Sequence, residues 1–233
     1  MAKVVWNPGA LLAPVAPTMV SCGSMEHPNI ITIAWTGILS THPAMTYISV
    51  RPQRFSHKLI ADSGEFVINL TTRELVRACD TCGVKSGAQV NKFELMGLTP
   101  KRASQVSAPL IGESPINLEC RVTQRLPMGS HEVFIAKIVA VNVEESLLDA
   151  AGKLDLQKCG LVAYAHGNYY ALGESLGSFG YSVRKKPLDS RTPQNQRKGR
   201  GTHADRRQKP ISGHGARTHS GGRPRRKAAG NPQ

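Results

Sequence analysis

The stretch that decides the fold runs from Asn29 to Ile60 and has the sequence NIITIAWTGILSTHPAMTYISVRPQRFSHKLI. It contains two apolar runs rich in β-branched and aromatic residues, IITIAWTGIL (30–39) and AMTYISV (44–50), separated by a short polar turn. Runs of this composition and length predict β-strands. Ser56 stands where a helical pattern begins and Gly64 where it ends, so we predict a short helix with Ser56 as its N-cap.

The same pattern continues on both sides of this stretch. Further strands are predicted at PTMVSCG (17–23), EFVINL (65–70), PINLECRVTQRLP (115–127), HEVFIAKIVAVNVEE (131–145) and within LVAYAHGNYYALG (161–173), and Phe179, Tyr181 and Val183 alternate as a last strand would. Short helices are predicted within TTRELVRACDTCG (71–83), starting from a threonine cap, and QVNKFELMG (89–97). Many strands with few, short helices predict a mainly β fold, an antiparallel β-barrel with α insertions.

The charge of the chain is concentrated at its C-terminus. Residues 1–183 carry 15 Lys and Arg against 14 Asp and Glu, whereas residues 184–233 carry 15 against 2, so the tail supplies nearly all of the net charge of +14. With almost no large apolar residues, the tail is predicted to be disordered. We therefore expect one folded domain, 1–183, and a basic tail, 184–233. The tail is either an arm that binds polyanions weakly and non-specifically or a solvated extension, such as a C-terminus translated in a shifted frame, and we favour the second interpretation.

Several classes of protein are disfavoured by the sequence. Five cysteines with irregular spacing do not suggest a disulfide framework, and the Cys79–Cys82 pair lies in a predicted helix without a second pair. The histidines are too scattered to predict a metal site. No apolar run reaches 18 residues and the N-terminus is a poor signal peptide, so we expect a cytoplasmic protein with no membrane span.

The turn after the second apolar run has the composition of an anion site. Arg51 and Arg54 offer planar sets of donors, Ser56 adds a hydroxyl, and the first turn of a helix contributes free N–H groups. Taken alone, the three residues are better explained as surface arginines and a helix cap. Other stretches add a tryptophan, a lysine, a histidine and tyrosines, each of which would by itself be an ordinary core or strand residue.

The motifs taken in order resemble the flavin reductase-like family, and flavoredoxins within it. The ordered set is NIITIAWTG, SVRPQRFSHKLI, SGEFVINL, CGVKSG with VNKF, ESPINLEC, GSHEVFIAKIVAV and YAHGNYYALGESLGSFGYSV, and it covers about residues 4–183. The resemblance implies an FMN-binding split β-barrel with Greek-key antiparallel topology. It also implies a homodimer with FMN at the subunit interface.

The resemblance further implies roles for individual residues. The segment lining the flavin ring and ribityl chain corresponds to Asn29, Thr32, Trp35 and Thr36. The turn around the phosphate corresponds to Arg51, Arg54 and Ser56, with His57 beside them. Ser86 and Lys92 match the helical insertion, and His131 and Tyr164 match positions that approach the cofactor from the barrel. No catalytic residue is certain, and His131 and Lys92 are the candidates for stabilising the reduced ring.

The expected activity is that of an NAD(P)H:flavin oxidoreductase that passes electrons from the nicotinamide nucleotide through FMN to an acceptor. One alternative is a flavoredoxin-type electron carrier that a protein partner reduces. The other is a non-catalytic barrel whose basic tail binds polyanions.

Overall fold

The computed structural model of the chain describes residues 1–184, so the predicted tail lies outside the described residues apart from Arg184. The strands are β1 (Thr18–Gly23), β2 (Pro28–Ile33), β3 (Thr36–Thr41), β4 (Ala44–Val50), β5 (Glu65–Leu70), β6 (Pro100–Lys101), β7 (Leu110–Ile111), β8 (Ile116–Met128), β9 (His131–Val143), β10 (Val162–Ala165) and β11 (Asn168–Ala171). The helices are α1 (Phe55–Ser63), α2 (Val76–Val84) and α3 (Lys92–Met96). Single 3-10 turns lie at Glu145–Leu147, Leu156–Cys159 and Tyr181–Val183. Residues 1–178 form one compact unit, and a second unit begins at Phe179.

The large sheet has the strand order β2-β1-β5-β8-β9-β4-β3, and all neighbouring strands are antiparallel. Its two edges, β2 and β3, are consecutive in the chain and joined only by Ala34 and Trp35. The edges of a flat seven-stranded sheet would lie about 29 Å apart, whereas the step from Ile33 to Thr36 spans at most about 11 Å. The sheet must therefore curl until its edges meet. The predicted antiparallel barrel is confirmed.

The first predicted strand of the opening stretch is wrong in one respect. IITIAWTGIL was expected to be continuous, but the structure breaks it at Ala34 and Trp35 into β2 and β3. The carbonyl of Trp35 accepts a hydrogen bond from the amide of Ser49 at 3.0 Å, which holds the break against β4. The last predicted strand is also wrong, because Tyr181–Val183 form a 3-10 turn. Its apolar side chains are exposed.

Apolar residues pack on both faces of β1 and β2. One cluster contains Val20, Ile31 and Phe134 and receives Ile60 from α1. On the opposite face, Met19 and Ile30 pack under α2 and α3 with Cys79, Cys82 and Phe93. Both cysteines of the Cys79–Cys82 pair are buried, and burial raises the pKa of Cys82 to about 11. Because a reactive cysteine needs an accessible thiolate, these two act as core residues.

The helices begin differently from the sequence prediction. The N-cap of α1 is Arg54, without a side-chain hydrogen bond, and Ser56 is the second helical residue rather than the cap. The hydroxyl of Ser56 accepts a hydrogen bond from Asn29 Nδ2 at 2.7 Å, so a partner 27 residues away replaces the expected cap. Gly64 ends α1 in the left-handed conformation, as predicted. α2 starts at Val76, after the predicted threonine cap.

Among residues 1–184, no helix is both long enough and apolar enough to cross a lipid bilayer.

Candidate functional site

The turn between β4 and α1 presents the two predicted arginines at the surface. The amide of Arg54 donates to the carbonyl of Arg51 at 3.0 Å, and the amide of His57 donates to the carbonyl of Arg54 at 2.9 Å. These bonds bring the Arg51 and Arg54 side chains, both exposed, to the N-terminus of the nine-residue helix α1. Guanidinium groups beside a helix N-terminus favour an anion.

An aromatic surface lies next to this turn. The rings of Trp35 and His131 have centroids 4.5 Å apart, and Trp35 is 46% exposed. Tyr164 and Tyr169 pair across β10 and β11 with ring centroids 5.2 Å apart. Burial lowers the pKa of His131 below its ordinary value of 6.5, and the positive charge of Arg51 lowers it further. His131 is therefore neutral at pH 7.

These side chains border a first compartment of a surface groove, with a volume of about 290 Å³. Its lining includes Thr32, Trp35, Arg51, Arg54, His131 and Tyr164. A second compartment of about 170 Å³ shares Ile31, Arg54 and Gly83 with the first, so the two adjoin each other. Its lining adds Ser56, Ser86, Gly87 and Lys92. We call the two compartments together the groove.

Lys92 forms part of the buried wall of the second compartment. Its side chain is 3% exposed, and its ammonium donates to the carbonyls of Ile30 and Cys82, both at 2.7 Å. Burial lowers the pKa of Lys92, and the charge of Arg54 lowers it further. An ammonium has three N–H groups, and the ion pairs of the described residues include none with Lys92. The lysine thus brings a positive charge that the described chain does not neutralise.

Asn29 and Gly87 shape the same compartment. Asn29 is buried, and its Nδ2 group contacts the Cys22 sulfur at 3.5 Å as well as Ser56. A Cβ atom on Gly87 would lie 2.0 Å from Asn29 Oδ1 and 2.9 Å from a ring carbon of Phe55. Only a glycine allows the chain at residue 87 to approach so closely.

The structure brings most of the predicted site residues together. Two of them use their hydroxyls within the fold: Thr32 Oγ1 donates to the Cys79 carbonyl, and Thr36 Oγ1 donates to the Tyr47 carbonyl at 2.6 Å. Thr36 lies on β3 outside the lining of both compartments, and Asn29 lies behind Ser56. Tyr169 and Gly83 line the groove without having been predicted as site residues.

A carboxylate beside the groove was also missed. Glu132 follows His131 on β9 and contacts His57 of α1 and Arg125 of β8. Arg125 faces Phe134 across the β8–β9 hairpin, two residues from Glu132, so the two charged residues are diagonal neighbours on one face. Counting residues back from the MGS turn could have found this pair, whereas no local motif indicates the contact with His57.

A larger cleft of about 870 Å³ lies elsewhere, bordered by α2, α3 and the chain after β9. None of the described residues that line it is aromatic, and its acidic Glu74, Glu113 and Glu144 accompany the basic Arg77, Lys85 and Lys158. Mixed charge without an aromatic wall does not select for a ligand of one kind. The groove is smaller, but its two ends differ in a way that fits one type of ligand, a flat ring system with an anionic group.

Comparison with known proteins agrees with this geometry. The model of the family described as "Flavin reductase like domain" matches residues 12–173. An uncharacterised protein of Archaeoglobus fulgidus is 34% identical over 156 residues, which are 67% of this chain and 86% of that protein. The structure of the flavoredoxin of Desulfovibrio vulgaris (Miyazaki F) superposes with a TM-score of 0.73 at 31% identity, covering 78% of this chain and all of that one. The NADH-dependent FMN reductase AsuE2 of Streptomyces nodosus subsp. asukaensis is 23% identical, over 58% of this chain and 72% of that enzyme.

Proposed function

The chain belongs to the flavin reductase-like family, and on that premise we propose that it is an FMN-binding oxidoreductase that uses a reduced nicotinamide nucleotide. One observation carries the proposal: two adjoining compartments place an aromatic end at Trp35 and His131 beside a cationic end at Arg54 and Lys92. These ends correspond to the ring and the phosphate of FMN.

At the cationic end, Arg54, which lines both compartments, would hold the phosphate together with Ser86 and the first amides of α1, and Arg51 would add its charge from the first compartment. Guanidinium groups form charge-assisted hydrogen bonds with phosphate, and the helix N-terminus adds a favourable dipole. Lys92 would serve the same end through its unneutralised charge. Its two backbone bonds fix the ammonium, so it would act as a point charge that needs no rearrangement when the anion arrives.

At the aromatic end, Trp35 and Tyr164 would form the wall against which the ring lies. The bound flavin would supply the redox chemistry, accepting hydride from the nicotinamide nucleotide and releasing electrons to an acceptor. His131 is neutral at pH 7, so it would contribute a hydrogen bond rather than a positive charge. Of the two candidates for stabilising the reduced ring, Lys92 is the one whose terminal nitrogen is fixed by hydrogen bonds to two carbonyls, those of Ile30 and Cys82.

The nicotinamide nucleotide is proposed on the basis of AsuE2, which is named as NADH-dependent. The test is an anaerobic titration of the FMN-loaded protein with NADH and with NADPH, following the flavin absorbance. We expect the absorbance of oxidised flavin to fall with at least one of the two nucleotides as soon as the solutions are mixed. A flavin that stays oxidised with both would contradict the nucleotide-dependent reaction.

A second candidate function is that of an electron carrier, which the likeness to a flavoredoxin favours. A carrier would bind FMN in the same groove but would receive electrons from a protein partner. Steady-state oxidation of NAD(P)H in the presence of excess free FMN separates the two functions. A reductase turns over many equivalents of nucleotide, whereas a carrier consumes at most about one per bound flavin.

We also propose that the protein is a homodimer with the groove near the subunit interface. The outer half of the β8–β9 hairpin, which leads to His131, exposes Leu126 and Met128. Exposed apolar residues next to a site are suited to contact with another subunit. Light scattering of the purified protein would give about twice the chain mass of 25.2 kDa if this is so, and the chain mass itself if it is not.

A further inference from the structure

Glu132 connects three elements around the groove. Its Oε2 accepts a hydrogen bond from His57 Nε2 at 2.6 Å and one from Arg125 Nη2 at 2.9 Å, and its Oε1 accepts one from Arg125 Nε at 3.0 Å. Because a carboxylate only accepts, the hydrogen on the His57 ring lies on Nε2. The chain thus ties α1, β8 and β9 together through one side chain.

The part of the contact between His57 and Glu132 is shielded from solvent, with side chains that are 14% and 12% exposed. The His57 ring packs edge-on against Phe134, with centroids 5.3 Å apart. Arg125 is 44% exposed and lies with its guanidinium 5.4 Å from the centroid of the same ring. The shielded bond between His57 and Glu132 therefore holds its partners more firmly than the outer pair with Arg125.

The position of this contact matters for the groove. His57 follows the turn of residues 51–56 by one residue, and Glu132 follows His131 by one residue. Neither His57 nor Glu132 lines a compartment of the groove. The contact therefore joins the element that carries the arginines to the strand that carries His131 without touching a ligand in the groove.

We propose that Glu132 is a positioning residue that holds the phosphate-binding turn in register with the ring-binding end of the groove, and so sets the preference for FMN over riboflavin. The inference rests on the proposed function. It makes Glu132 favourable for binding an anion even though its own charge is negative.

The direction in which FMN affinity changes when Glu132 is neutralised distinguishes a positioning role from a direct effect of its negative charge. If Glu132 acted only through its charge, neutralising it would strengthen the binding of FMN, since a negative charge close to the site would be removed. If it positions the turn, neutralising it weakens the binding of FMN. A glutamine has nearly the same shape, and its amide oxygen can still accept from His57 Nε2 and Arg125 Nη2. Its amide nitrogen then faces Arg125 Nε, and the two remaining bonds lose the charge of the carboxylate that strengthened them.

The experiment measures the dissociation constants of FMN and riboflavin for the full-length wild type and for the variants Glu132→Gln, His57→Ala and His57→Gln. For Glu132→Gln and His57→Ala we expect FMN binding to weaken roughly five- to tenfold and riboflavin binding to change less than about twofold. His57→Gln keeps an N–H donor at a similar reach, so it should restore most of the FMN preference that His57→Ala loses.

The matched control is Glu65→Gln. Glu65 is a carboxylate of β5 that accepts bonds from Arg121 Nε at 3.3 Å and from the Ser107 amide at 2.7 Å, and it lies outside both compartments. A general loss of stability would change both flavins alike in the control and in the test variants, whereas positioning changes the ratio of their affinities only at His57 and Glu132.

An unchanged or increased FMN preference in both Glu132→Gln and His57→Ala would overturn the inference while leaving the proposed function standing. A wild type that binds neither flavin would overturn the proposed function, and the inference with it. Glu132→Gln decides between positioning and simple charge, and the comparison of His57→Ala with His57→Gln tests independently whether the bond to Glu132 sets the preference.

Discussion

Two buried charged residues, Glu119 and Lys92, differ in how many of their hydrogen-bonding groups the chain itself satisfies. Glu119 on β8 is fully buried, and its carboxylate accepts four hydrogen bonds, from the amide and hydroxyl of Ser104, the amide of Gln105 and Asn142 Nδ2. Lys92 on α3 is almost as buried, but it is held by two backbone carbonyls and by no carboxylate among the described residues.

On the proposed function, the difference separates a region that belongs to the architecture from one that would serve as a site. The Glu119 region is complete, because the chain itself supplies each partner that the carboxylate needs, and it fixes the loop around Ser104 against the sheet. The Lys92 region carries a desolvated charge that faces a groove with Arg54 beside it. Part of the arrangement is structural, because the Cys82 carbonyl that accepts from Lys92 lies in the last turn of α2. The proposed anion would offset the remaining free-energy cost of burying the charge.

The largest expected effect is on stability, at Glu119. Glu119→Ala leaves the donors of Ser104, Gln105 and Asn142 without an acceptor in a buried place, so we expect a loss of about 3 kcal/mol in the free energy of unfolding. Chemical denaturation measures it. The ratio of FMN to riboflavin affinity should not change. A change in that ratio would mean that the Glu119 region also contributes to the proposed site.

The next effect is on binding, at Lys92. Lys92→Met keeps most of the length of the side chain and removes the charge, so FMN affinity should fall by roughly ten- to a hundredfold while riboflavin affinity changes little. Stability should change far less than in Glu119→Ala, because removing a buried charge offsets the loss of two hydrogen bonds. Lys85→Met is the control, an exposed lysine of the same compartment, and a charge as exposed as this should matter only a few-fold.

A third experiment separates the two ends of the groove. Arg54→Ala should weaken FMN by roughly tenfold and riboflavin hardly at all, because riboflavin lacks the phosphate. Trp35→Ala should weaken both flavins together, since the indole belongs to the aromatic end. Equal losses of both flavins in Arg54→Ala would show that Arg54 has a structural role instead.

How much of this could be predicted depends on how local the signal is. The long β8–β9 hairpin and the strand β5 were predicted nearly to the residue, because period-two alternation and turn residues are local features. The break at Ala34 and Trp35 was not predicted. The apolar composition is the same on both sides of it, and its position is set by closure of the barrel.

The site shows the same limit. Arg51 and Arg54 could be proposed as anion ligands because they stand beside a helix start. Ser56 was taken for a cap because its true partner, Asn29, lies on β2, 27 residues earlier in the sequence. The bond between His57 and Glu132 spans 75 residues of sequence and depends on how α1 packs against β9, so no local pattern could indicate it.

A pH experiment sharpens the account of Glu119. Burial alone would raise the pKa of Glu119, but the bonds from Asn142, Ser104 and Gln105 outweigh it and hold the pKa below the ordinary 4.5. The carboxylate therefore stabilises the fold above about pH 4.5, and that contribution is lost as the pH falls through the lowered folded-state pKa. Melting temperatures from pH 7 to 3 should fall less steeply for Glu119→Gln than for the wild type. Parallel curves would mean that Glu119 does not contribute to acid unfolding.

The smallest expected effect concerns the chain after Lys186. Removing it should leave the melting temperature and the affinity for FMN unchanged, and should abolish only weak, salt-sensitive binding to RNA, because most of the positive charge lies there. The comparison is made at low and near-physiological salt. Loss of flavin from the truncated protein would mean that the tail takes part in the site.

The most direct test of the groove is a pair of titrations of the unmodified protein, one with FMN and one with riboflavin, followed by quenching of flavin fluorescence. Because the phosphate is the only difference between the two ligands, the ratio of their affinities measures the contribution of the cationic end. The account predicts one FMN per chain, bound at least about tenfold more tightly than riboflavin. Equal affinity for the two flavins, or no binding of either, would contradict the proposal that Arg54 and Lys92 bind the phosphate of FMN.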